Sequence, residues 1–233
     1  MVKALIKKER EQIFRLFLDN DKLKFNEIEK FLGIRSNMVS YHLEKMLQEC
    51  LLEKKGDYYV LTKNAEKYIP VFSNITGESM SPLAVVLVAV VNKDKILLIK
   101  RNNRPYKDYW GLIGGKILFG ENFERASERL TSIRSKLDCS FVSVNSVLHE
   151  HVKNGDEIIH DFMLFFTKVR SKGLNFVDGK YGKLKWFNIK DISKVKIIPS
   201  DKWLIVNKLN SKVKIKEGFM KESNGRLSRF NFS

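Results

Sequence analysis

The chain has 233 residues, of which 43% are hydrophobic, 11% aromatic and 30% charged, and its formal net charge is +16. Its longest apolar run, Leu83–Val91, is strand-sized and far short of a bilayer span, and the lysine-rich N-terminus lacks an apolar signal core. These features argue against a membrane or secreted protein and lead to the expectation of a cytoplasmic, folded chain of one or two domains. Two cysteines, Cys50 and Cys139, stand far apart with no partners at metal-ligand spacing, as in a reducing compartment. The charge is uneven. Residues 1–80 hold 14 basic and 12 acidic side chains, whereas residues 81–233 hold 29 and 15, which points the basic excess at an anionic partner.

In chain order, Leu5, Ile6, Ile13, Leu16 and Phe17 recur at helical spacing and predict a helix over 3–19. Asn26 is a plausible cap for a second helix, Glu27–Leu32, and Gly33 allows a turn. Ser36 or Asn37 can cap a third helix reaching Leu47. Ile28, Phe31, Leu32, Ile34, Val39, Leu43 and Met46 are the expected core. LEKKGDYYVLT reads as two short strands around Lys55-Gly56-Asp57, followed by a short helix Lys63–Tyr68. Over FNEIEKFLGIRSNMVSYHLEKMLQECLLEKKGDYYVLT this order resembles a winged helix-turn-helix of the ArsR-like transcription regulators. The resemblance implies double-stranded DNA as partner. Arg35, Ser36, Asn37, Ser40, Tyr41, His42 and Lys45 would then face the major groove, and Lys54, Lys55 and Tyr58 would set a wing on the backbone.

Residues 73–81 are small, polar and turn-prone, and read as a linker between a domain at 1–72 and one at 82–210. Leu83–Val91 and Ile96–Lys100 are expected strands. Phe141–His151, Ile158–Val169 and Leu184–Ile189 follow as further strands, and Pro199–Leu209 as a closing helix. Residues 211–233 form a C-terminal extension, in which Val213 and Ile215 alternate with lysines as an edge strand would. Phe230 and Phe232 are expected to tuck onto a core.

Between these strands lies GLIGGKILFGENFERASERLTSIRSKL, residues 111–137. It resembles the Nudix box, with Gly115, Glu121, Arg129 and Leu137 in register. Three box glutamates are replaced by Leu130, Ile133 and Arg134, and the late glycine by Lys136. The resemblance implies an α/β (α+β) architecture overall, a winged helix followed by a Nudix α/β/α sandwich. In that family the box glutamates hold magnesium or manganese for cleavage of diphosphate-linked compounds. Hard cations need several oxygen ligands, and a cation at Arg134 would repel metal and attract phosphate. Ala126, Leu130, Ile133 and Leu137 fall on one helical face and should be apolar packing. Arg101 sits where the family's second strand leads to the substrate, and Tyr109-Trp110 resembles the aromatic pair before its glycine turn.

The expectation from sequence is therefore a DNA-binding transcriptional regulator and not an enzyme, with no catalytic residue, metal or cofactor. Its Nudix-like domain would sense a nucleotide-like ligand through Arg101, Trp110, Lys116, Phe119, Glu121, Arg129 and Arg134. A homodimer is the default for such regulators. A second reading is an active metal-dependent pyrophosphohydrolase that recruits carboxylates from elsewhere, such as Glu124, Glu128, Glu150 or Glu157. A third is an RNA-binding or scaffold module using the basic C-terminal half.

Overall fold

A computed structural model of the chain describes residues 7–66, 68, 81–102, 106–223 and 226–232. The chain divides into two compact units, residues 1–81 and 82–233. Residues 73–80 of the expected linker and the start of the predicted first helix lie outside the described residues.

The first unit is built from helix α1 (Lys8–Leu16), strand β1 (Leu23–Lys24), helices α2 (Phe25–Leu32) and α3 (Ser36–Gln48), strands β2 (Leu52–Lys55) and β3 (Tyr58–Leu61), and the short helix α4 (Lys63–Glu66). Its strands form an antiparallel sheet in the order β1-β3-β2. Gly33 ends α2 and Gly56 turns the β2–β3 hairpin, both with φ +61°, a left-handed conformation that costs glycine little. Ile13, Phe14, Ile28, Val39, Leu43, Met46 and Leu52 close the core. Phe31 does not join it and is 67% exposed, because α2 turns that residue outward. Neither helix start uses its expected cap. The backbone N–H of Lys24 donates to the Glu27 carboxylate at 2.7 Å to begin α2. Arg35 precedes α3, and the Ser36 hydroxyl donates to Glu29 instead of capping.

In the second unit a seven-stranded mixed sheet carries one long helix on each face. Its strands are β4 (Leu83–Asn92), β5 (Lys95–Arg101), β6 (Trp110–Gly111), β7 (Ile113–Gly115), β8 (Cys139–Asn154), β9 (Glu157–Ser171) and β10 (Gly182–Asn188). The path is β10-β5-β4-β9-β8, with β6 on β5 and β7 on β4; β4 and β9 run parallel and the other pairs antiparallel. Helix α5 (Phe123–Ser135) covers one face, and helix α6 (Pro199–Lys208) covers the other after a 3-10 turn at Ile189–Lys194.

The unbroken apolar run of β4 is explained by burial on both sides. Val86, Val88 and Val90 join Ala126 and Leu130 of α5, while Leu87, Ala89 and Val91 join Leu204 and Ile205 of α6. Each such side chain contributes about 1.5–3 kcal/mol on full burial. The strands expected from sequence are present, though β8 and β9 are longer at both ends. The short strands β6 and β7, inside the glycine-rich turn, carry no periodic signal of their own. Of the expected stripe, Ala126, Leu130 and Leu137 are buried but Ile133 is exposed, because the buried face of α5 runs through Ser127, Leu130, Thr131 and Ser135 and leaves Ile133 at its edge.

The extension departs from expectation. Val213 and Ile215 form no strand, and a separate hairpin, β11 (Gly218–Ser223) with β12 (Arg226–Phe232), follows them. Phe230 and Phe232 are exposed and stack edge-on against each other at 4.8 Å, since both strands of this hairpin are exposed throughout.

Lys136 ends α5 with φ +59°, its N–H donating to Ser132 O. A left-handed conformation costs a residue with Cβ about 1–2 kcal/mol. Lys136→Gly is therefore expected to stabilise the protein by about 0.5–1 kcal/mol in urea unfolding, net of glycine's greater unfolded-state entropy.

Candidate active site

The glycine-rich segment enters beneath α6 because Gly111 has no side chain. A Cβ there would meet the Asp201 carboxylate oxygen and Ile198 at 2.8 Å. This approach lets the Leu112 N–H donate to Asp201 Oδ2 at 2.7 Å. Asp201 lies in the first turn of α6, which opens with Pro199 at its first position. It is only 4% exposed, and its pKa is pushed up to about 7. Burial is the main cause; the nearby Glu150 charge adds to it, while the Leu112 hydrogen bond and Arg101 oppose it.

Asp201 lines a cavity of about 280 Å³. Leu83, Val85, Leu87, Phe162 and Leu164, from β4 and β9, give it an apolar wall. Arg101, Lys116 and Arg134 bring cations to it, and Glu150 of β8 brings a second carboxylate. A neighbouring cavity of about 300 Å³ shares Arg101, Leu112, Gly114 and Arg134 and adds Tyr181. Arg134 lies 3.6 Å from the Tyr181 ring centroid and donates to Gly114 O at 3.4 Å; burial lowers its pKa. Tyr106 lines the first cavity in a left-handed conformation, φ +66°. Its hydroxyl is buried without a partner among the described residues, and burial raises its pKa to about 12. An orphaned buried hydroxyl in a cavity wall is a group placed to meet a ligand.

Of the seven expected ligand residues, the structure brings Arg101, Lys116 and Arg134 together. The other four are elsewhere. Glu121 and Arg129 are committed to each other, with Arg129 Nε to Glu121 Oε1 at 2.5 Å and Nη2 to Oε2 at 2.7 Å. Glu121 also accepts from Leu118 N–H at 2.9 Å, and Arg129 donates to Lys116 O at 3.0 Å. The arginine hydrogen bond holds the Glu121 carboxyl below its usual pKa range. This pair clamps the loop before α5. Trp110 packs edge-on against Phe187 at 4.9 Å in the core, and Phe119 is 89% exposed outside the cavity. Sequence reasoning missed Tyr106 and Asp201. An acidic residue in the first turn of a helix opened by Pro199 was the available signal for Asp201; Tyr106 offered none.

The box helix does not fit a divalent metal. Leu130 packs on Gly115, where a Cβ would meet its methyl at 2.5 Å, Ile133 faces solvent and Arg134 is a cation. That donor set supplies no carboxylate oxygen. Glu128, another proposed recruit, accepts from Phe141 N–H at 3.0 Å, and neither Glu124 nor Glu157 lines the cavity.

On the first unit, Arg35, Ser36, Asn37, Tyr41, Lys54 and Lys55 are exposed, while Ser40, Lys45 and Tyr58 are half-buried. The Lys22 and Lys24 ammonium groups lie over the Tyr58 ring at 4.6 and 5.1 Å. His42 cannot read a base. It is 3% exposed, it accepts from Arg10 Nε at 3.3 Å, and burial lowers its pKa, because α3 turns this residue into the core.

Residues 80–208 match the family model of the NUDIX domain, and the chain belongs to the Nudix family. A curated relative, the uncharacterized Nudix hydrolase YvcI of Bacillus subtilis (strain 168), is 28% identical over 109 residues, 46% of this chain and 67% of that protein. Among solved structures, a NUDIX-family hydrolase from Clostridium perfringens is similar with 17% identity and a TM-score of 0.46, covering 56% of this chain and 98% of the other. The MutT protein of Bacillus halodurans is similar with 20% identity and a TM-score of 0.47, covering 64% and 96%.

The family match and the relative named a hydrolase overturn the expectation of a DNA-binding transcriptional regulator that is not an enzyme. Loss of carboxylates from one helix does not entail loss of the reaction, because Glu150 and Asp201 stand on other elements and line the same cavity. The order of the N-terminal elements describes an architecture, which does not itself supply a function.

Two outcomes are expected. The Asp201 carboxyl rises from 3.8 to about 7 on folding, so the native form holds a proton that the unfolded chain releases first. Stability should therefore be highest below about pH 4 for this group and fall as pH rises to about 7, by at most about 1.4 kcal/mol per pH unit. Asp201→Asn, which keeps an acceptor for Leu112, should flatten that slope in urea unfolding at several pH values. Glu121→Gln should lower unfolding stability by about 1–3 kcal/mol by leaving the Arg129 clamp half-made.

Proposed function

We propose that the second unit hydrolyses a phosphoanhydride in a diphosphate-containing, nucleotide-like compound. One observation carries this reading: a single cavity in which Arg101, Lys116 and Arg134 face Glu150 and Asp201. Its apolar wall suits the non-phosphate part of such a compound. The three cations suit the diphosphate, with the arginines able to take two oxygens each. Tyr106 Oη donates a further hydrogen bond. The buried Asp201, protonated over much of the range below pH 7, donates to an acceptor on the substrate.

Glu150 acts as general base. It takes a proton from water, the oxygen attacks phosphorus, the bridging P–O bond breaks and the bridging oxygen leaves on the departing phosphate. Negative charge grows on the phosphoryl oxygens as this happens. Preorganised cations in a partly dry cavity stabilise it without reorganisation. Arg101, Lys116 and Arg134 supply charge at the position where Arg134 has displaced a box carboxylate, so no step is assigned to a metal.

For the first unit we infer a winged helix-turn-helix arrangement. The order of three helices and a hairpin, and a small sheet in which β3 lies between β1 and β2, support it. This concerns architecture and assigns the unit no ligand.

The test is phosphate and nucleotide release from a panel of nucleoside diphosphates and diphosphate-linked nucleotides, with and without magnesium or manganese. Turnover is expected to fall about 10²–10⁴-fold in Glu150→Gln. In Arg134→Ala the loss should appear in both KM and kcat. Absence of turnover with every substrate, with and without metal, would overturn the reading.

A further inference from the structure

Strand β8 carries His149-Glu150-His151 near its far end. Alternation along a strand puts the two imidazoles on one face and Glu150 on the other. Across the antiparallel pair, His151 stands opposite Asp161 of β9, and His149 opposite Met163, one pleat away on the same face. The three side chains therefore converge. His149 Nε2 lies 2.7 Å from Asp161 Oδ1, and His151 Nδ1 lies 3.4 Å from the same oxygen. One ligand atom from each residue falls within 4.8 Å of the others, and the two imidazole rings have centroids 4.2 Å apart.

We propose that His149, His151 and Asp161 form a binding site for a late first-row divalent cation, of which zinc is the type. Two imidazole nitrogens and one carboxylate oxygen are the ligand set that zinc, nickel and copper prefer; magnesium and calcium prefer all-oxygen sites. Zinc bonds of about 2.0–2.2 Å in a tetrahedron separate neighbouring ligand atoms by about 3.3–3.5 Å; the His151–Asp161 pair at 3.4 Å matches this, and the His149–Asp161 pair at 2.7 Å would open by under an ångström. Small rotamer changes of exposed side chains cover the remaining difference. Three protein ligands leave a fourth position for water or a ligand from outside. In the alternative without metal, Asp161 would only bridge the two histidines. Two imidazolium rings so close repel each other, which disfavours that bridge when both are charged. A cation between neutral rings removes the repulsion and uses the carboxylate fully.

The site lies on the face of β8 opposite Glu150, so zinc binding here stands or falls independently of the hydrolase reading. It is open to solvent, which gives the ion a path of entry.

The full chain, stripped with a chelator and dialysed, is titrated with zinc chloride in a calorimeter. One zinc per chain is expected, with no displacement by excess magnesium. His149→Ala, His151→Ala and Asp161→Asn should each weaken binding by roughly tenfold or more. His160→Ala, on the other face of β9, and Cys50→Ser, which removes an exposed thiol, should leave it unchanged. All the variants alter exposed or half-exposed side chains, and equal unfolding temperatures without zinc verify that they fold. Failure of the parent chain to take up zinc overturns the site, as does undiminished uptake by the His149→Ala/His151→Ala double variant.

Discussion

Burial of β4 on both faces is the constraint from which the rest of the second unit follows. Its even and odd residues feed two separate cores, so each face of the sheet must be covered by a helix. Helix α5 takes one face and α6 the other. The parallel pairing of β4 with β9 then brings Leu83, Val85 and Leu87 alongside Phe162 and Leu164. Those side chains form the apolar wall of the cavity, and α6 delivers Asp201 to it. The site is a by-product of how one strand is sandwiched, and its acids and cations come from four different elements and the loop that follows β7.

The glycine turn joins this scaffold to the chemistry. Gly111 admits the Asp201 carboxylate against the backbone, and Gly115 admits Leu130 of α5. The family's box is thus retained as architecture. Glu121 and Arg129 still clamp the loop, and Gly115 still allows helix and strand to touch. What has changed is the sign of the charge. Leucine and arginine stand where carboxylates would gather a metal, and the acids that remain sit across the cavity on β8 and α6. Positive side chains can hold and polarise phosphate directly, a task otherwise shared with a bound cation.

The sequence alone was enough for the long strands β4, β5, β8, β9 and β10, the two long helices of the second unit and the register of the box, because each is a local pattern. β4 is a continuous valine-rich run, α5 has a 3.6-residue apolar repeat and Asn122 caps it by accepting from Arg125 N–H at 2.9 Å. It was also enough to see that three box glutamates are replaced, since that is a matter of residue identity at fixed spacing. It misjudged Phe31, Ile133 and His42, whose facing depends on what packs against a helix. Periodicity gives a stripe, but the neighbours decide which edge of the stripe is covered.

Only the tertiary structure decided which charged residues share a site. Arg101, Lys116 and Arg134 lie within 34 positions of one another and were legible as a group. Asp201, 89 residues beyond Leu112, became part of the same cavity through one hydrogen bond that no linear pattern announces. Glu121 was removed from it by a partner, Arg129, that saturates both its oxygens. The reason is general: spacing along the chain reports contacts within one helix or strand, whereas a cavity is made where separate elements meet, and desolvation there sets what each carboxylate can do.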